Sequence, residues 1–169
     1  MGSEVSILRK HELEIDDPRE IEEILRRGRL LHLALSQGDT PYCLTVCYGF
    51  VPGFLYFHSA QEGRKIHILN KNPRVFFQVV IETAIREAEL SCGWSVQYRS
   101  VAGGGTARFL KEEREKARAL DILMRQYSAK QYRHPPETLE RTAVIEIAIE
   151  SLSGKKSRPG NRGELLPLL

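Results

Sequence analysis

Between residues 30 and 58, three apolar runs are joined by turns too short for anything but reversal. Gln37-Gly38-Asp39-Thr40 separates residues 30–35 from 42–50, and Pro52-Gly53 separates those from 54–58. Connections of this length join antiparallel neighbours, whereas parallel strands need a crossover of about a dozen residues or more. The middle run alternates. Leu44, Val46, Tyr48 and Phe50 fall on one face, and Cys43, Thr45, Cys47 and Gly49 on the other. A period of two marks strands with one buried side. The first run is apolar except for His32, which reads as structural. An antiparallel sheet is therefore set early in the chain.

The remaining segments extend this pattern. Asp17-Pro18-Arg19-Glu20 opens a helix, with Asp17 as cap, Pro18 at the first position and Glu20 completing a capping box. Gly28 stops it. A second helix is expected over residues 62–70, with Ile66 and Leu69 facing inward, ended by Asn72-Pro73. Residues 75–81 read as a buried strand and 83–92 as a surface excursion. Residues 94–109 form a long, bent strand. Gly103-Gly104-Gly105 interrupts it, which marks a bulge, a bend or a close backbone approach. A helix over 111–127 carries Ala117, Leu120, Leu123 and Met124 as its apolar stripe. A loop over 132–139 and a half-exposed strand over 143–149 follow. The total is about six strands and three helices. The expected class is mainly β (α+β), with a six-stranded antiparallel sheet that tends to close into a barrel. One domain spans 1–153. Residues 154–169, with Lys155, Lys156, Arg158 and Arg162 among glycines and a proline, read as a flexible basic tail.

Composition removes several function classes. The net charge of +3 on 169 residues is too small to argue for nucleic acid, and the basic tail has no aromatic residue to stack on bases. No apolar run approaches the ~20 residues that cross a bilayer. The first fourteen residues are polar, unlike a signal peptide, so no membrane and a cytoplasmic location are expected. The three cysteines, Cys43, Cys47 and Cys92, suit free thiols in a reducing compartment. Cys43 and Cys47 on one strand would stand about 13 Å apart, too far to share a zinc ion. No metal site is expected.

Residues 55–66 carry the chemistry. An apolar strand, Leu55-Tyr56-Phe57-His58, runs through Ser59 into a turn and then a helix opened by Gly63-Arg64-Lys65. A helix N-terminus offers unpaired N–H groups and about half a positive charge. Ser59 adds a hydroxyl donor, and Arg64 and Lys65 add charge. The segment reads as a phosphate pocket. An ordinary strand–helix junction with solvated cations fits the same residues. Gly103-Gly104-Gly105 is not a nucleotide-binding loop, because no Gly-Lys-Ser/Thr follows. No Gly-x-Gly-x-x-Gly follows a strand either, so a Rossmann unit is excluded.

In order and spacing, Pro41-Tyr42, Tyr56-Phe57-His58-Ser59-Ala60, Gly63-Arg64-Lys65, Asn72-Pro73, Trp94 through Val101 and Gly105-Thr106-Ala107-Arg108-Phe109 resemble the FMN-binding split-barrel proteins. This is the superfamily of pyridoxamine 5′-phosphate oxidase. The nitroimidazole-resistance, or Nim-like, flavoproteins are the branch most similar. The resemblance covers about residues 21–149. It implies a split β-barrel and a homodimer with FMN in a groove at the subunit interface. Arg64 and Lys65 match the pair that holds the flavin phosphate, and His58 and Ser59 lie beside the ribityl–phosphate part. Cys43, Leu44, Thr45 and Val46 run along the isoalloxazine ring. Trp94, Tyr98 and Ser100 come from the long strand near the interface. The glycine run stands where a bulkier residue is expected, which implies a widened pocket or a loose pocket floor. The C-terminal Arg and His pair that binds the oxidase's substrate is not recognisable, so pyridoxamine 5′-phosphate oxidase activity itself is not implied.

Several residues keep two readings. His58, the candidate catalytic residue, can bond the flavin, touch a substrate, ligate haem iron or be a satisfied strand-end histidine. Trp94 can be a ring-stacking lid or dimer core, the core being favoured. Tyr98 is preferred to Arg99 because it shares a strand face with Trp94 and Ser100. Cys43 and Cys47 can adjoin the flavin or be packed small residues. The leading expectation is an FMN-dependent oxidoreductase passing electrons from reduced nicotinamide to a small acceptor such as a nitroaromatic. A non-catalytic flavin-binding protein and a haem-binding split barrel are the alternatives.

Overall fold

The computed structural model describes residues 11–158 and 165–167. Its elements are β1 (Glu14–Ile15), α1 (Pro18–Arg27), β2 (Leu31–Gln37), β3 (Thr40–Val46), β4 (Gly49–Val51), β5 (Phe54–Ala60), α2 (Arg64–Lys71), β6 (Arg74–Arg86), β7 (Ser95–Phe109), α3 (Glu113–Arg125), α4 (Pro136–Arg141), β8 (Thr142–Lys156) and β9 (Leu165–Pro167). The strands form one antiparallel sheet in the order β3-β2-β6-β7-β8-β5-β4, with β1 on β8 and β9 on β6. The ends of that order are consecutive in the chain but do not pair with each other. The sheet therefore curls without closing, as a split barrel.

The expected strand over 42–50 is two strands. β3 pairs with β2 at one edge and β4 with β5 at the other. Cys47 and Tyr48 carry the chain between the edges. Tyr48 is fully buried, so its polar atoms must find partners inside. Its Oη donates to the Leu25 carbonyl at 2.7 Å, and its backbone N–H donates to Tyr127 Oη at 2.9 Å. Burial holds the Tyr48 phenol strongly above its ordinary pKa, so it stays a neutral donor.

The core is the inner face of this sheet. Leu31, Leu33 and Leu35 of β2, Leu55 and Phe57 of β5, Val75, Phe77, Val79 and Ile81 of β6, and Ile145 and Ile147 of β8 are buried together. Each large apolar side chain withdrawn from water contributes roughly 1.5–3 kcal/mol. Ile24 and Leu25 of α1 and Ile66, Ile68 and Leu69 of α2 close the core. Asp17 caps α1 through its carboxylate, 2.9 Å from the Arg19 N–H, whereas Glu20 turns to Arg99 at 3.3 Å rather than serving a capping box. Gly28 ends α1 in an extended conformation. An added Cβ would lie 2.3 Å from Val79 and 2.4 Å from the Tyr48 hydroxyl, so close approach requires the glycine.

Other boundaries move for physical reasons. α3 buries Ala119, Ile122 and Leu123, a stripe rotated from the expected one, because its contacts come from β4 and β5. Pro135 and Pro136 start a short helix, α4, in the expected loop, proline being well suited to the first helical turn. β6 runs to Arg86, past a bulge where Glu82 takes φ 55°. β6 is buried on one face only, since Phe76 is 54% exposed. β8 runs past the domain boundary expected at 153: Gly154 pairs with Ile15 and Val101. Arg162 and most of the expected tail lie outside the described residues.

The glycine run is not loose. Gly103, Gly104 and Gly105 pair with β6 on one side and β8 on the other, and a bulge falls between Gly104 and Gly105. An added Cβ at Gly105 would stand 2.4 Å from the Ala148 carbonyl oxygen, which is backbone and cannot turn aside. At Gly104 the nearest atom is Ser151 Oγ at 3.2 Å, a rotatable group. Gly105→Ala is expected to cost about 1–3 kcal/mol, and Gly104→Ala less than half of that. Urea unfolding checks this; equal costs would show that β8 does not hold its distance.

Candidate functional site

The start of α2 gathers backbone donors and two cations. Gly63 takes φ 117°, a conformation L-residues rarely adopt, and nothing lies within 4 Å of where its Cβ would be. Conformation alone thus demands glycine here. No side chain caps the helix, and its first turn carries no acid. The first N–H groups therefore have no helical partner and face no carboxylate of their own turn. Arg64 lies with its guanidinium carbon 4.5 Å from the Tyr42 ring centre, which ties the helix to β3. Lys65 is half-buried, with Nζ 5.8 Å from the ring centre of the buried Phe57. Burial lowers the Lys65 pKa. Neither cation has an ion-pair partner among the described residues.

His58 and Ser59 end β5 just before this turn, opposite Val144 and Ala143. His58 points outward with Phe54 and Tyr56. Burial first, and then the Lys65 charge, lower its pKa from the ordinary 6.5, so the neutral imidazole prevails at pH 7. Thus Tyr42, His58, Ser59, Arg64 and Lys65, from three elements, meet at one end of the sheet. On β3, Cys43 and Thr45 are exposed on the outer face. Leu44 and Val46 point into the core, so only their backbone can meet a ligand outside.

The β7 candidates lie elsewhere in the same chain. Gly105 pairs with Val75 close to α2, whereas Ser95 pairs with Arg86 at the far end. Ten residues of strand separate the two levels by roughly 33 Å. Trp94 is 47% exposed, outside any core of the chain, and its Nε1 donates to the Ala88 carbonyl at 2.8 Å. Tyr98 is half-buried and paired through its backbone with Ser157. Ser100 is buried, its hydroxyl directed to the Lys155 carbonyl at 3.3 Å. Arg99, set aside in favour of Tyr98, binds both Glu82 oxygens at 2.7 and 2.6 Å and also reaches Glu20 and Glu23 at 3.3 Å. It fastens α1 to the β6 bulge.

Two site features were not singled out from the sequence. His32 is exposed on the outer face, with Nδ1 3.2 Å from Thr45 Oγ1. Its alternation with Leu31 and Leu33 was the available signal. The second is a surface. Cys43, Ala34, Phe76, Gly104 and Ser151 form one cross-strand row, and Thr45, His32, Gln78, Ala102 and Ser153 form the next. Neither row holds a charged residue, in a chain that is 28% charged. Among the described residues there is no cluster of metal-ligating side chains, and no helix is long and apolar enough to cross a membrane.

The family described as pyridoxamine 5′-phosphate oxidase has a sequence profile that matches residues 17–156. The chain belongs to this family. No curated protein matches the sequence. Solved structures do. A candidate 5-nitroimidazole antibiotic resistance protein from Bacteroides thetaiotaomicron is 26% identical with a TM-score of 0.77, over 85% of this chain and 86% of that one. The flavocytochrome Anf3 of Azotobacter vinelandii is 20% identical with a TM-score of 0.81, over 96% and 83%. A Mycobacterium smegmatis protein that binds FAD and haem is 20% identical with a TM-score of 0.79, over 92% and 83%. In the pyridoxamine 5′-phosphate oxidase family the present chain thus keeps the split-barrel fold.

The two causes of the His58 shift can be separated. Its NMR titration midpoint should fall below 6.5 and should rise, without fully recovering, in Lys65→Met, because burial is the larger cause. A midpoint above 6.5 in the parent protein contradicts the geometry. Unfolded His58 binds its proton more readily than folded His58. The residue therefore costs stability as pH falls below about 6.5.

Proposed function

We propose that this protein binds FMN in a homodimer and passes electrons through it. The observation that carries the reading is the start of α2: an uncapped helix end with two cations that have no ion-pair partner among the described residues, entered through Gly63 and flanked by His58 and Ser59. This donor set fits a phosphate monoester. Helix N–H groups, a guanidinium and an ammonium are all donors, and no carboxylate of the first turn opposes them. Cys43 and Thr45, with the backbone of Leu44 and Val46, lie on the strand beside that end and can flank a planar ring.

The separation along β7 supports the dimer. Trp94 and Tyr98 cannot reach the α2 end of their own chain, but a second chain laid against the uncharged outer face can bring its copies there. Two rows of five uncharged residues are the kind of surface that associates, since charged groups are depleted at interface centres. Ser100 is buried with its hydroxyl engaged, so it acts by holding β7 against β8.

Bound FMN supplies hydride acceptance and onward electron transfer. The chain binds and orients the cofactor, and His58, neutral at pH 7, offers a hydrogen bond at its edge. Reduced nicotinamide is the proposed donor and a small nitroaromatic the proposed acceptor. Similarity to the Bacteroides protein supports that acceptor class. The C-terminal substrate signature of pyridoxamine 5′-phosphate oxidase is not recognisable, which argues against that reaction.

Purified protein should be yellow, with flavin bands near ~370 and ~450 nm, and should consume NADH or NADPH when a nitroimidazole is added. A Soret band near ~400 nm would replace FMN by haem, and flavin without turnover would leave a carrier. Arg64→Ala with Lys65→Ala should weaken FMN binding by roughly 10²–10⁴-fold with circular dichroism unchanged, from two lost charge-assisted contacts. Unaltered affinity in a fluorescence titration would remove the phosphate assignment.

A further inference from the structure

A cleft whose lining does not include the cations of α2 lies on β5. Val51, Pro52, Phe54 and Tyr56 of the β4–β5 hairpin, Leu110, Glu146 of β8, and Glu115, Arg118 and Ala119 of α3 enclose a cleft of about 390 Å³. That volume is at the lower end of the range for small-molecule pockets, about 300–1,000 Å³. We propose that this cleft binds a planar aromatic carboxylate.

The floor is aromatic. Phe54 and Tyr56 stack with ring centres 6.5 Å apart and planes 28° from parallel, and Phe54 remains 38% exposed. An exposed phenylalanine beside a half-buried tyrosine offers a flat apolar face to a third ring. Leu110 and Ala119 supply apolar walls.

Charge selects the sign of the ligand. Glu146 is already engaged: it accepts from Tyr56 Oη at 3.0 Å and from the Arg108 guanidinium at 3.1 and 2.9 Å. Arg108 also reaches Glu115 at 3.3 Å. Both carboxylates of the lining thus share the one Arg108 guanidinium. Tyr56 is committed as a donor, its pKa pushed up to about 12 by burial and then by Glu146. Arg118 is the remaining charge. It has no ion-pair partner among the described residues, and it is close enough for its charge to act on Tyr56. An unengaged cation beside an aromatic floor, with the neighbouring acids already bound to Arg108, matches a ring bearing one carboxylate.

The test uses the whole protein and 2-naphthoate, followed by its fluorescence and by isothermal titration calorimetry. Saturable binding is expected, weakened about tenfold in Arg118→Gln and about tenfold in Phe54→Ala. Both residues are exposed, so both variants should fold. The Arg64→Ala, Lys65→Ala variant should bind 2-naphthoate as the parent does, which separates this cleft from the proposed flavin site. The uncharged 2-naphthol should bind at least tenfold more weakly than 2-naphthoate. The proposal falls if 2-naphthoate does not saturate at millimolar concentration, if Arg118→Gln and Phe54→Ala leave its affinity unchanged, if the Arg64→Ala, Lys65→Ala variant loses it, or if naphthol binds equally well.

Discussion

The architecture turns on a buried tyrosine. Tyr48 sits where the chain leaves one edge of the sheet for the other, and its burial is tolerable only because its donors are used. Its two hydrogen bonds draw in the end of α1 and the end of α3. Gln126 reinforces the junction, its amide lying 2.9 Å from the Leu25 carbonyl, 3.0 Å from Arg26 and 2.9 Å from Gly28, where α1 leaves carbonyls unpaired. Gly28 and Gly49 follow from the same packing. Side chains there would strike Tyr48 in one case and the α3 backbone at 2.5 Å in the other. The barrel stays split because this polar junction, rather than a strand ladder, joins its edges.

Among the described residues, the unclosed sheet leaves β3 without a partner on one edge and a face that no helix covers. The rows through Ala34 and His32 are uncharged, and the ion pairs lie outside them: Arg74 with Glu150 next along the face, Arg99 and Arg27 with Glu82 and Glu23, and Arg108 with Glu146 and Glu115. Exposed pairs of this kind add little stability individually. Their placement matters more, because it keeps charge off a surface that a second molecule can cover.

The period of two made the sheet and most of its core legible, since it reports which side of a strand is dry. It does not report which strand lies alongside. Tyr48 keeps the alternation of Leu44 and Val46, so nothing in residues 42–50 marks the change of partner after Val46. The end of β8 was hidden for a different reason. Gly154 and two lysines are poor strand formers alone, and only the approach of Ile15, 2.6 Å from where a Gly154 Cβ would sit, explains the glycine. At the site, local features were readable: Gly63 before Arg64 and Lys65 is a backbone and charge pattern within four residues. Relations across the sheet were not. The separation of Trp94 from α2, the Ser100 hydroxyl turned to Lys155 and the contact of His32 with Thr45 all depend on register, which one sequence leaves open.

Arg99 of β7 and Lys65 of α2 show two uses of a cation in one small fold. Arg99 meets carboxylates from Glu20, Glu23 and Glu82, so its desolvation is offset within the chain and its charge is locked in place. Lys65 loses water without such an offset, which is why its pKa falls. Burial first, and then the Lys65 charge, lower the His58 pKa. An unpaired, partly dehydrated ammonium at a helix end is a less stable arrangement than a paired one. It becomes favourable once an external anion restores the missing charge. The groups around it are already fixed: Gly63 sets the helix entry, Phe57 bounds the ammonium and Tyr42 holds Arg64. An anion arriving there therefore gains the Coulomb attraction with little left to order, and the chain recovers the desolvation cost left uncompensated at Lys65.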